Sequence, residues 1–123
     1  AVIDGLGHGK LAAQAAAAAT ESLARWPFGE DLEAAMRGVH EALRGTRGAA
    51  AGVCVVRPGS LVCCGVGNVE IRCIGAKVPI LLSPGVLGAR VQSFRICRAA
   101  LPADVRMVLS SDGISYRAQL DSL

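Results

Sequence analysis

The chain has 123 residues, 52% of them apolar, 19% charged and 3% aromatic, with a net charge of +3. A chain of this length makes one domain and buries roughly two-thirds of its unfolded surface, and it is too apolar for a disordered tail. Lys and Arg are scattered and aromatic side chains are few, which argues against nucleic acid as a partner. No stretch approaches the ~20 apolar residues of a membrane span, and no basic segment precedes an apolar one as in a signal peptide.

Residues Ala1 to Ile3 read as the end of a buried strand. Asp4 to Gly9 (DGLGHG) is a glycine-rich turn, and Lys10 to about Arg25 is a helix rich in alanine, the best helix former. Its small face permits close approach to a neighbouring sheet. Trp26-Pro27-Phe28-Gly29 breaks the helix. A second helix is expected from Glu30 to about Arg44, with Leu32, Ala35, Met36, Val39 and Leu43 as its apolar stripe. Glu30 and Asp31 suit its N-terminus, and Arg44 before Gly45 its C-terminus.

Beyond Gly48 the period changes to that of strands. Ala51 to Arg57 and Leu61 to Gly65 read as a hairpin joined by Pro58-Gly59-Ser60. Val69 to Ile74 alternates, Ile80 to Leu82 is a short candidate strand, and Ser83-Pro84-Gly85 is a turn. Val91 to Arg98 and Val105 to Ser110 are the last strands, with a further helix opening near Ile114. Two helices followed by an antiparallel meander predict an α+β fold. The five cysteines, Cys54, Cys63, Cys64, Cys73 and Cys97, contain no C-x-x-C pair and are odd in number. They read as small core hydrophobes of a reduced, cytoplasmic protein.

The segment most able to carry chemistry is Asp4-Gly5-Leu6-Gly7-His8-Gly9-Lys10. A Walker A loop fails here, with Asp4 and Leu11 at its required positions. A dinucleotide G-x-G-x-x-G from Gly5 meets Lys10 instead of glycine. A kinase-type D-x-G-x-G meets Leu6. What remains is a carboxylate at a strand end, where Asp4 either ligates a hard cation or opens the turn and caps the helix. Val108-Leu109-Ser110-Ser111-Asp112-Gly113 repeats that grammar, although S-D-G by itself is a common turn. His40, near Arg37, Glu41 and Arg44, reads as solvated, and Asn68 and the glycines Gly85 and Gly88 as turn residues.

DGLGHG with its alanine-rich helix, then GVGNVE, PGVLG and LSSDGI, in that order, resembles the metal-dependent type 2C (PPM) protein phosphatases. The resemblance is to their sporulation and stress-response branch, the RsbX-like serine phosphatases, and it covers nearly the whole chain. It implies an antiparallel β-sandwich flanked by helices (αββα), formed by residues 1–123 as a single, partial domain. The family's upstream acidic ligand and its later Asp-Asn motif fall outside this sequence. It implies hydrolysis of phosphoserine or phosphothreonine by a metal-activated water, using two Mn²⁺ or Mg²⁺ ions. Asp4 then bridges the ions, the Gly5 carbonyl binds one and Asp112 the other, while His8 is either a general acid or a polar loop residue. The implied partner is a phosphorylated regulator of the STAS-domain or anti-sigma-antagonist type, in a stressosome or anti-sigma pathway, with no nucleic acid and no membrane. The alternative is an inactive phosphatase-fold module that binds a partner protein.

Overall fold

The computed structural model describes residues 1–27 and 31–111. Its elements are β1 (Val2–Gly5), α1 (Lys10–Ala24), α2 (Leu32–Ala42), β2 (Ala49–Arg57), β3 (Ser60–Val66), β4 (Val69–Ile74), β5 (Gly85–Val86), β6 (Arg90–Val91), β7 (Cys97–Ala100) and β8 (Arg106–Ser111). The mixture of helices with antiparallel sheets is the one the hydrophobic periods predict.

Helix α1 buries Ala12, Ala15 and Ala19, a stripe at helical spacing. Helix α2 begins two residues later than expected. The Asp31 carboxylate accepts the Glu33 N–H at 3.1 Å, which makes Asp31 the cap and Leu32 the first helical residue. Met36 and Val39 are fully buried from this helix, each contributing roughly 2 kcal/mol by leaving water.

The main sheet has strand order β1-β2-β3-β7. Alternation sends Ala49, Ala51 and Val53 of β2, with Cys64 and Val66 of β3, into one core beneath the helices. The opposite face presents Leu61 and Cys63, which pack with Ile71, Met107 and Leu109. These last three belong to a second ladder, β4 with β8, running from Val69↔Ser111 to Ile74↔Arg106.

The strands do not follow one another as a simple meander. β3 takes β7 as its second neighbour, with Cys63 opposite Cys97, and β4 waits for β8. No strand forms at Ile80 to Leu82. There the Leu81 N–H and carbonyl bond the Cys97 sulfur, and Arg95 takes the Leu82 carbonyl, so side chains satisfy what a ladder would. The span expected from Val91 to Arg98 divides into β6 and β7. The helix anticipated near Ile114 lies outside the described residues.

His40 is not the solvated residue that its polar neighbours suggest. It is half-buried, its Nδ1 accepts the Gly88 N–H at 2.9 Å, and its ring meets Phe94 edge-on at 6.3 Å. At Gly88 the backbone has φ +92°, and a Cβ there would lie 2.6 Å from the Leu43 carbonyl oxygen. Glycine therefore lets the PGVLG segment press onto the end of α2, and His40 ties it there. His40→Ala leaves that N–H without its acceptor and is expected to cost about 1–2 kcal/mol, measured by urea denaturation.

Candidate functional site

Asp4 is the penultimate residue of β1, opposite Ala50 of β2, with its side chain half-buried. Gly5 follows against α1, where any side chain would overlap the Ala12 carbonyl. A glycine at this point and an alanine on the helix bring β1 and α1 into backbone contact. The Leu6 N–H then donates to the Gly48 carbonyl at 3.0 Å, which fixes the exit of the glycine loop.

Asp4 and Leu6 line a cavity of about 130 Å³ together with Ala49, Ala50, Gly67, Asn68, Gly85 and Val86. Three segments far apart in the chain meet here: the DGLGHG loop, the turn of GVGNVE and the start of PGVLG. Pairing in the sheets brings them together. Ser83 N–H donates to Gly65 carbonyl at 2.7 Å and Gly67 N–H to Ser83 carbonyl at 3.1 Å, stitching the third segment to the second. Two mutual hydrogen bonds between Ala49 and Leu87 then stitch the third to β2. The fourth segment arrives by the β4–β8 ladder, which sets Ser111 opposite Val69, next to Asn68. Asp112 itself lies outside the described residues.

Asn68, read from the sequence as a turn residue, shares the cavity with Asp4. His8 and Lys10 are exposed, the first on the loop and the second opening α1, and neither lines the cavity. One neighbour was not singled out by sequence. A Cβ built at Gly7 would lie 2.5 Å from Arg47 Nη1, so the Arg47 guanidinium rests against the glycine loop. An isolated arginine between Thr46 and Gly48 carries no local signal for that position. A larger cavity of about 320 Å³ lies by Trp26, Arg57 and Arg98, and none of the described motif residues lines it.

Among the described residues, those lining the cavity around Asp4 bring a carboxylate and a side-chain amide, and no thiol or imidazole. That chemistry suits a hard cation such as Mg²⁺ or Mn²⁺. Among the described residues, no three His, Cys, Asp or Glu gather as a metal-binding group, so Asp4 by itself does not form a two-ion centre. Also among the described residues, no helix is long and apolar enough to cross a membrane.

No protein-family model and no curated protein matches the chain. Among solved structures it is similar to one described as "The bacterial stressosome: a modular system that has been adapted to control secondary messenger signaling". The identity is 34% and the TM-score 0.84, over 92% of this chain and 61% of that one. It is also similar to RsbX crystallised in complex with magnesium, at 25% identity and TM-score 0.81, over 92% of this chain and 59% of that one. The chain thus spans about three-fifths of the length of either structure. A related fold follows from these likenesses.

Proposed function

We propose that the chain belongs to a metal-dependent protein serine/threonine phosphatase acting on phosphoserine or phosphothreonine of a bacterial signalling regulator. The carrying observation is the meeting of Asp4, Gly67, Asn68, Gly85 and Val86 around one cavity. These residues come from three of the four ordered motifs that resemble the RsbX-like phosphatases, and the likeness to RsbX with magnesium supports the reading. In this reading the strands form a sandwich between helical layers, and the setting is a cytoplasmic stressosome or anti-sigma pathway. The regulator is of the STAS-domain or anti-sigma-antagonist type.

Asp4 and the Gly5 carbonyl would hold Mn²⁺ or Mg²⁺, and Asp112 would supply a further carboxylate. Two such ions, when bound, acidify a water and neutralise phosphate charge. An ionised Asp4 would present acceptor oxygens only, the form that a divalent cation takes. Arg47 offers a planar set of N–H donors beside Gly7, a shape that matches phosphoryl oxygens. His8 is the imidazole of the loop and the candidate donor of a proton to the leaving seryl oxygen.

Hydrolysis of p-nitrophenyl phosphate, with Mn²⁺ and with chelator, tests this. Turnover that requires the metal is expected. None from a folded sample with Mn²⁺ overturns the phosphatase reading for this chain. The second reading, a phosphatase-fold module that binds a protein partner without catalysis, is favoured by the 34% identity to the stressosome structure.

A further inference from the structure

Three of the five cysteines stand in one row across three adjacent strands. Cys63 of β3 faces Cys54 of β2 on one side and Cys97 of β7 on the other, and all three lie on the sheet face away from the helices. Cys64 points into the helix-covered core and Cys73 sits on β4. The two pairings of Cys63 are not equivalent. The β2–β3 hairpin closes through Pro58 and Gly59 between Arg57 and Ser60, and a two-residue loop makes its closing pair a hydrogen-bonded one. Counting up the ladder, Val55↔Val62 is again hydrogen-bonded, and Cys54↔Cys63 falls on a non-hydrogen-bonded step.

Such a step brings opposite Cα atoms to about 4.5 Å with their side chains close, inside the roughly 4.4–6.8 Å range of a disulfide. On the other side, the Leu101 N–H donates to the Gly59 carbonyl at 3.0 Å. Two residues at a time, this makes Cys63↔Cys97 a hydrogen-bonded, wider pair. The Cys97 sulfur is moreover engaged, accepting the Leu81 N–H at 3.4 Å and donating to the Leu81 carbonyl at 3.7 Å.

We propose that Cys54 and Cys63 form an oxidative modification site, which hydrogen peroxide converts into a disulfide across the β2–β3 hairpin. Cys54 is half-buried and Cys63 fully buried, so Cys54 is the sulfur that meets the oxidant. The Cys63 S–H hydrogen-bonds to Cys54, which holds the Cys54 thiol below its ordinary value; that bond, with burial, pushes the Cys63 thiol up. The Cys54 thiolate attacks one peroxide oxygen, the O–O bond breaks, and the released hydroxide takes up the thiol proton as water. Cys54 is then a sulfenic acid. The Cys63 sulfur attacks it, the S–S bond forms, the S–O bond breaks, and hydroxide leaves with the Cys63 proton as a second water. Two thiols are oxidised and one hydrogen peroxide is reduced to two waters.

The test is independent of any phosphatase activity. Folded protein is treated with hydrogen peroxide, its thiols are counted after denaturation, and peptic fragments are mapped without reductant. The count is expected to fall from five to three, with Cys54 joined to Cys63 and the loss reversed by dithiothreitol. The Cys97→Ser variant is expected to form the same bond, and the Cys54→Ser variant, checked for its fold by circular dichroism, none. The reaction rate is expected to rise with pH and level off below the pH at which a free cysteine, of pKa about 8.5, would. Five surviving thiols, a Cys63–Cys97 bond, a link between molecules, or oxidised Cys54 beside a free Cys63 each overturns the proposal.

Discussion

Asp4→Asn is expected to remove metal-dependent phosphatase activity while the protein stays folded. The amide has nearly the shape of the carboxylate, and the pairing of β1 with β2 runs through backbone at Asp4↔Ala50. What changes is charge: a neutral amide oxygen replaces an anionic ligand for a divalent cation. Loss of a residue that only orients a metal ligand costs about 10–100-fold, so loss of a ligand itself is expected to exceed ~100-fold. Initial rates across a Mn²⁺ titration, beside a thermal melt, provide the measurement. A wild-type rate from a folded Asp4→Asn protein would remove Asp4 from the mechanism. Asp112→Asn is the companion variant and is expected to behave alike.

A second large effect is expected one residue along, and on a different quantity. Gly5→Ala introduces a methyl group where the Ala12 carbonyl already stands. The obstacle is helix backbone, which no rotamer change can move aside. Strand β1 and helix α1 must separate, opening contacts of Ala12, Ala15 and Ala19, which are buried. Overpacking of this kind costs about 1–3 kcal/mol and occasionally more, and a backbone obstacle puts Gly5→Ala at about 3 kcal/mol. The melting temperature should drop by roughly 10 °C. An unchanged melt would mean that β1 and α1 approach less closely than the structure has them. The two neighbouring substitutions thus separate chemistry from architecture: one is expected to affect turnover alone, the other stability first.

The elements written in local signals were legible in the sequence. Alanine content and a glycine loop marked β1 and α1, the stripe from Leu32 to Leu43 marked α2, and Pro58-Gly59 marked the hairpin. Long-range pairing was not legible, because Val69 to Ile74 has the same alternation whether its partner is β3 or β8. The same gap hid the cysteine row, which depends on the register of β2, β3 and β7. His40 looked solvated because its sequence neighbours are charged, whereas its partner, Gly88, is 48 residues away. At the candidate site the sequence singled out Asp4 but read Asn68 and Gly85 as turn residues, and the cavity they share with Asp4 comes from the pairing of distant segments. The sequence could not anticipate Arg47, whose place beside Gly7 follows from the tertiary fold alone.

The pairing of β4 with β8 bears on how the chain is made. On the ribosome, Val69 emerges about forty residues before Ser111, its partner in the ladder. At ~5–20 residues per second that interval lasts a few seconds, far longer than the microseconds in which a hairpin such as β2–β3 closes. Throughout it, Ile71 has Leu61 and Cys63 to cover but no β8 beside it, and the backbone of β4 presents an open edge to other chains. Synthesis is therefore a stage at which the chain exposes a β edge that the finished fold pairs.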